Sequence, residues 1–379
     1  MTVYKRHQRV WGILQVVLRP WIIHKFSIQS EPIDIEGPVL FVSNHVTTWD
    51  PLIVATSLKK KQVYYVASEH IFRLGFLSKI IVWLVGPISR RKGASAKDTT
   101  EKCLEHLHQG HSIWLFAEGE QSWDGRSKEV IRGTGKLVKD SNVTLVTYRI
   151  DGGFLSLPRW ADTIRKGKVK GKVVGIYYPE ELKKKTAEEI NEIMNRDIYV
   201  DAWETQRKEM IHYRSDLMAE HLERMLYLCP KCKKDGTLHS NHNRVYCDCG
   251  FETEVLDTGF FKDDEPFETL SEWEDWQKKT LIEAYHEGNL LFEDAGATLM
   301  RIGNHHETQL LEKGILYLKN NTIIVNTQTF ALSKITRMAM TRYGVLLFTY
   351  EDIYYQIRLE GNVNVRKYLE IWNYEKRKR

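Results

Sequence analysis

Val39-Leu40-Phe41-Val42-Ser43-Asn44-His45-Val46-Thr47-Thr48-Trp49-Asp50-Pro51 is an apolar run that breaks into a polar turn. The run 39–43 reads as a buried strand. Asp50 followed by Pro51 reads as a helix N-cap with proline at the first helical position. A strand that passes through a short turn into a helix is the repeating unit of an α/β sheet. The same turn sets a histidine and a carboxylate five residues apart, close enough for the chain to fold back and join them. A histidine held by an aspartate can take a proton from a hydroxyl near neutral pH, with the aspartate fixing the tautomer. The structural alternative is a satisfied turn histidine beside a capping aspartate.

Working outward, strand-like runs at 39–43, 62–67, 112–117, 143–150 and 172–178 alternate with helical patterns at 51–58, 69–85, 96–109 and 127–139. This rhythm predicts an α/β domain with a mixed, largely parallel sheet covered by helices. Sites in such sheets form at the carboxyl ends of strands. His45 and Glu118 both follow predicted strands and are expected to converge. A long charged helix is predicted over 186–228. From Gly314 the pattern becomes β-hairpins, with strands at 315–318, 322–326, 334–340, 345–349 and 353–359, then a helix over 363–374 and the basic end Lys376-Arg377-Lys378-Arg379. By pattern this segment resembles a pleckstrin-homology or GRAM-type module. The expected division is 1–225, a small cysteine-bearing segment at 226–262, and a helical linker with the β-rich domain at 263–379.

The chain has 379 residues, 42% hydrophobic and 28% charged, and a net charge of +5. That composition is globular and allows two or three domains. The mild positive balance suits an anionic membrane surface and falls short of a dedicated nucleic-acid binder. Near the N-terminus Lys5, Arg6 and Arg9 precede an apolar stretch at 10–18, then Arg19-Pro20-Trp21-Ile22-Ile23. No signal peptide is expected there. The stretch is too short to span a bilayer but fits a helix lying in the interface plane, or one packed on the protein's own core. Residues 69–85 are apolar nearly all round and read either as a core helix or as a membrane-docking one.

Two further stretches carry chemistry. Gly86-Pro87-Ile88-Ser89-Arg90-Arg91-Lys92-Gly93 puts guanidinium groups beside glycines, a combination that can grip phosphate or remain a solvated turn. Trp114-Leu115-Phe116-Ala117-Glu118-Gly119-Glu120-Gln121-Ser122 runs an apolar strand into a carboxylate and a glycine. In order and spacing, His45-x4-Asp50, the Gly86–Arg91 turn, Phe116-x-Glu118-Gly119 and the apolar 146–150 resemble the glycerophospholipid acyltransferase family, whose best-known members are the 1-acylglycerol-3-phosphate acyltransferases. The likeness covers about 35–180.

The resemblance implies a peripheral enzyme on the cytoplasmic face of the cell membrane. It would move an acyl chain from acyl-CoA or acyl carrier protein to the hydroxyl of a lysophospholipid. It implies His45 as general base, Asp50 as its orienter, and Arg90 or Arg91 as the phosphate-binding arginine. Glu118 and Gly119 would serve the acceptor, with Asn44, Gln121 and Ser122 alongside. No serine or cysteine nucleophile accompanies the pair, so direct transfer is expected. The chain departs from the family pattern at Ala117 and Thr147, where proline is usual, and at Gln121, where arginine is usual. The second motif is also one residue short. Losing the arginine removes a charge-assisted contact of roughly 1.5–3 kcal/mol. Either Arg126, Arg132 or Arg149 replaces it, or the acceptor is another lysolipid. A silent lipid-binding adaptor is the remaining reading.

Cys229-Pro230-Lys231-Cys232 and Cys247-Asp248-Cys249-Gly250 place four of the five cysteines within a short span. Two such turns suit structural Zn2+ and make the expected 226–262 segment zinc-ribbon-like. The second pair is C-x-C rather than C-x2-C, and His239 or His242 is an alternative ligand.

Overall fold

The computed structural model describes the whole chain except residues 1, 59–60, 74, 91–94, 263–265, 289–291, 304–306, 342–343, 362 and 379. The chain divides into two compact units. The first takes in residues 1–90, 96–218 and 255–260. Its strands are β1 (Ile28–Ser30), β2 (Val39–Ser43), β3 (Val63–Ser68), β4 (Ile88–Arg90), β5 (Ser112–Phe116), β6 (Thr144–Asp151) and β7 (Val169–Tyr177). Their order in the sheet is β1-β7-β6-β2-β5-β3-β4. From β6 through β2, β5 and β3 to β4 the pairing is parallel, while β7 runs antiparallel to β6. The sheet is therefore mixed and largely parallel. Every residue of β2 is buried, which explains its unbroken apolar run: a central parallel strand is covered on both faces.

Helices α1 (Val3–Phe26), α2 (Asp50–Ala55), α3 (Phe76–Val85), α4 (Lys97–His108), α5 (Gly133–Ser141), α6 (Gly153–Ser156), α7 (Pro179–Leu182), α8 (Ala187–Ile198) and α9 (Ala202–Glu209) complete the unit. Leu137 and Val138 of α5 and Ile190 and Met194 of α8 pack with Leu40, Val42, Leu115 and Leu145 of the central strands. The helix expected over 186–228 is two shorter ones. α8 opens on a Thr186–Glu189 capping box, and Asp201 starts α9 by accepting from the Trp203 and Glu204 N–H groups. A cap inside a helical-looking stretch restarts the helix in a new direction.

The stretch 69–85 is also split. A 3-10 turn at Glu69–Arg73 precedes Gly75 (φ +60°), and α3 follows. Only Ser78 of α3 is buried. Phe76 (77% exposed), Leu77, Ile80, Val82 and Trp83 face outward, as do Val16 (77% exposed), Ile13, Val17 and Trp21 of α1. The two helices are joined by Arg6, whose Nε donates to the Trp83 carbonyl at 3.0 Å while its guanidinium lies over the Trp83 ring. Among the described residues, no helix is long and apolar enough to cross a membrane.

The second unit holds residues 219–254 and 261–379. The cysteine segment thus shares a unit with the C-terminal sheet. Strands β8 (Leu238–Asn241), β9 (Arg244–Cys247) and β10 (Glu252–Glu254) form a small antiparallel sheet. Helix α10 (Leu270–His286) follows, also on a capping box, Thr269–Glu272. An antiparallel sheet ordered β14-β13-β12-β11-β17-β16-β15 and helix α11 (Arg366–Arg377) complete the unit. Its strands are β11 (Phe292–Ile302), β12 (Thr308–Lys319), β13 (Thr322–Val325), β14 (Gln328–Ala331), β15 (Ile335–Thr341), β16 (Val345–Tyr350) and β17 (Ile353–Arg358). β11 and β14 are additions to the strands expected from sequence.

Candidate active site

The parallel register decides what meets what. Ser43, the last residue of β2, lies level with Phe116 of β5 and Tyr148 of β6. The turns leaving β2 and β5 therefore start side by side at the carboxyl edge of the sheet. His45 stands on the first turn and Glu118 on the second, as expected from sequence.

His45 Nδ1 lies 2.7 Å from Asp50 Oδ2. Asp50 is fully buried (0% exposed), and its carboxylate also accepts from the backbone N–H groups of Val46 at 2.7 Å and Thr47 at 3.1 Å. Asp50 thus opens α2 and fixes the imidazole at the same time. The N-cap position falls on Trp49, with Asp50 the first helical residue, so Asp50 is not the N-cap expected from sequence: its carboxylate turns back to His45 and the Val46 and Thr47 N–H groups instead of capping α2. The His45 side chain is 20% exposed, and its ring stacks on Phe116 at 4.7 Å between centroids. With Nδ1–H donated to Asp50, Nε2 is left as an acceptor.

Glu118 is buried and bridges the two turns. Its Oε1 accepts from the His45 N–H at 2.9 Å and its Oε2 from the Lys128 N–H at 2.7 Å. Ser122 N–H in turn donates to the His45 carbonyl at 2.8 Å. The His45 backbone is therefore held on both sides by the loop after β5. Burial pushes the Glu118 pKa up to about 8 against the pull of the two N–H donors. Because the folded value lies above the ordinary 4.5, the associated stability is fully present below about pH 4.5. It is lost as the pH rises through about 8. The thermal midpoint of the wild type should therefore fall between pH 5 and 8 more steeply than that of Glu118→Gln. Parallel melting curves across that window would refute this.

Several other residues expected at the substrate hold the backbone around the site. Asn44 is fully buried and clamps β6, with Nδ2 donating to the Ile150 carbonyl and Oδ1 accepting from the Ile150 N–H, both at 2.8 Å. Ser122 is buried too. Its Oγ donates to the Arg126 carbonyl and accepts from the Gly125 N–H. Both were expected at the substrate because they flank the motifs, yet their partners close the backbone. Gly119 adopts φ +77°, the left-handed turn glycine supplies most readily, and a Cβ there would meet Ile131 at 2.6 Å. Arg90 ends β4 at the same carboxyl edge, three strands from β2. Arg91 lies outside the described residues.

Of the arginines weighed as replacements at the Gln121 position, Arg126 pairs with Asp124 and Arg149 donates to the Asp197 carbonyl at the end of α8. Arg132 immediately precedes α5. The arginine that reaches the Gln121 carbonyl is instead Arg159, which sequence reasoning missed. Its guanidinium lies over the Trp123 ring at 4.0 Å, pairs with Glu120 at 3.1 Å and donates to the Gln121 carbonyl at 3.4 Å. No motif spacing marks it. The chain reaches it through the α6 turn, 38 residues after Gln121.

The His45–Asp50 turn also touches α1. Trp49 packs its ring against Trp21 and Phe26, with Lys25 Nζ over both tryptophans.

Residues 25–151 match the family model described as "Acyltransferase". Over 135 residues the chain is 28% identical to the 1-acyl-sn-glycerol-3-phosphate acyltransferase LPAT1, chloroplastic, of Arabidopsis thaliana, an alignment spanning 34% of this chain and 36% of the relative. Over 118 residues it is 25% identical to the 1-acyl-sn-glycerol-3-phosphate acyltransferase of Borreliella burgdorferi, spanning 31% and 47%. The chain thus covers less than half the length of these curated relatives. A crystal structure of the 1-acyl-sn-glycerophosphate (LPA) acyltransferase PlsC from Thermotoga maritima matches at a TM-score of 0.39 and 18% identity, covering 50% of this chain and 78% of that one. The matched family segment contains His45, Asp50 and Glu118.

Proposed function

We propose that this chain is an O-acyltransferase working at a membrane surface, moving an acyl chain from acyl-CoA or acyl carrier protein to the free hydroxyl of a lysophosphatidic-acid-like acceptor. The observation that carries the reading is the partly exposed His45 ring tied at 2.7 Å to a buried aspartate within an acyltransferase-like segment. Nε2 accepts the proton of the acceptor hydroxyl as its oxygen attacks the thioester carbonyl. The tetrahedral intermediate collapses, the C–S bond breaks, and the leaving thiolate takes the proton back from the imidazolium. Asp50 stabilises the cationic ring in between, as in other His–Asp pairs. Glu118 and Phe116 hold the ring and its backbone in place, so they are positioning residues. Phosphate recognition falls to Arg90 at the carboxyl edge, with its sequence neighbour Arg91, outside the described residues, the other family-matched candidate.

The outward apolar faces of α1 and α3 support docking on an anionic bilayer, with Lys5, Arg9 and Arg19 supplying the basic flank. Gln121 in place of arginine supports a second reading of the acceptor as a different lysolipid, since the charge-assisted phosphate contact is missing at that position.

The test is an assay of the purified full chain with acyl-CoA and acyl carrier protein donors against a panel of lysophospholipids in mixed micelles. Transfer to lysophosphatidic acid is expected. Transfer confined to another acceptor selects the second reading, and no transfer with any pair leaves a lipid-binding adaptor.

A further inference from the structure

Acyl transfer makes no use of the four cysteines in the second unit. The Sγ atoms of Cys229, Cys232, Cys247 and Cys249 all lie within 4.8 Å of one another. Cys229 to Cys249 and Cys232 to Cys247 are each 3.7 Å. A disulfide would bring two sulfurs to about 2.05 Å. Four thiolates bound tetrahedrally to zinc at about 2.3 Å have sulfurs about 3.8 Å apart, along the edges of that tetrahedron. The spacing fits a tetrahedral metal site rather than a disulfide.

The backbone is shaped for it. In the first turn Lys233, in the left-handed region at φ +57°, donates its N–H to the Cys229 carbonyl at 2.9 Å. In the second, Gly250 at φ +81° does the same for Cys247, which lets the tighter C-x-C pair present both sulfurs to one side. Thr237 Oγ1 sits 3.2 Å from Cys247 Sγ, where its hydroxyl can donate to a thiolate. The histidines weighed as alternative ligands point elsewhere. His239 Nε2 pairs with Asp248 at 2.9 Å and its ring packs on Tyr246, while His242 occupies the hairpin turn against Asn241.

We propose that Cys229, Cys232, Cys247 and Cys249 hold one zinc ion, and that this ion fixes the base of the second unit. Four soft thiolates in a tetrahedron select zinc or iron over magnesium and calcium, and four protein ligands leave no open position for catalysis. The surrounding segment needs a staple. The small β8–β10 sheet buries Leu238 and Val245 as its large aliphatic side chains, too little core to order a segment of that size unaided. The first turn is also wired into the rest of the unit. The Leu228 carbonyl, next to Cys229, accepts from the buried Trp273 Nε1 of α10 at 3.0 Å. Asp235, three residues past Cys232, ion-pairs with Lys367 of α11, whose buried ammonium also reaches Asp294 of β11 at 2.9 Å. Loss of the ion would free one of the two carboxylates that compensate this buried cation.

The test uses the full purified chain. Elemental analysis should give about one zinc per chain, and titrating the thiols with a mercurial should release it to a chromophoric chelator. Cys232→Ser and Cys249→Ser should each lose the ion, whereas His239→Ala should keep it. Amide exchange over 228–254 and at the Trp273 contact should speed by at least tenfold on metal removal. Should the cysteine variants fail to fold, cobalt exchanged into wild-type protein should show intense thiolate-to-metal charge-transfer bands with tetrahedral d–d absorption. Stoichiometric iron overturns the zinc assignment. Zinc loss in His239→Ala overturns the ligand set. Absence of any transition metal, with no cobalt spectrum, overturns the site. Unchanged exchange in demetallated protein overturns the stapling role.

Discussion

His45→Ala is expected to lose acyl transfer by about 10²–10⁴-fold, the range that general-base catalysis contributes. The fold should survive the change. The contact that ties His45 to Glu118 runs through the backbone N–H, which alanine keeps, and the lost ring is partly exposed and stacked on one face of Phe116. Asp50→Asn should fall by a similar factor for a different reason. The amide oxygen can still accept from Val46 or Thr47, but an amide NH2 turned to His45 Nδ1 reverses the imidazole's donor and acceptor roles. Asp50→Ala should in addition destabilise the fold, because the buried Val46 and Thr47 N–H groups each lose their partner, at about 1–3 kcal/mol apiece. Initial rates beside circular dichroism melts separate the three. Full transfer by His45→Ala would remove the histidine from the mechanism.

The second large effect is on membrane partition. Replacing Val16 and Phe76 together by aspartate should lower binding to vesicles containing anionic lipid by at least about 10²-fold. Burying one large apolar side chain contributes about 1.5–3 kcal/mol, and each new carboxylate is repelled by the surface. The melting temperature should hardly move, since both side chains are 77% exposed and contribute little to the core. Wild-type binding should weaken with added salt, because about 1 kcal/mol per basic residue near the surface is screened. Flotation with anionic and purely zwitterionic vesicles reads both effects. Equal flotation of the double variant would end the docking assignment for these helices.

The sheet was legible from sequence where strands are long or fully buried. β2 was expected at 39–43 and lies there, because four consecutive apolar residues bounded by proline and a polar turn leave little choice. β1 and β4, three residues each, are too short to show a period. β11 escaped because Glu293-Asp294-Ala295-Gly296-Ala297 lacks β-branched residues and bulges between Asp294 and Ala297, so pairing to both neighbours decides its state. At the site, the His45–Asp50 contact was readable because both residues sit on one turn. The roles of Asn44 and Ser122 were not. Asn44 finds Ile150 more than a hundred residues away, and Ser122 is fixed by its own tight turn. Adjacency to a motif says nothing of either contact. Arg159 was invisible for the same reason.

The tilted aromatic packing of Trp49 against Trp21 and Phe26 has a practical consequence for anyone trimming this chain. Helix α1 cannot be treated as a detachable address label. Its outward side meets solvent, but its last turn is a wall of the His45–Asp50 turn, with Phe26 and Ile22 almost wholly enclosed. Cutting before residue 27 would strip Trp49 of its packing one position from Asp50. The same contacts make Trp49 an optical reporter: a spectral shift on vesicle addition that disappears in Trp49→Phe would register, at the His45–Asp50 turn itself, that α1 has met the lipid.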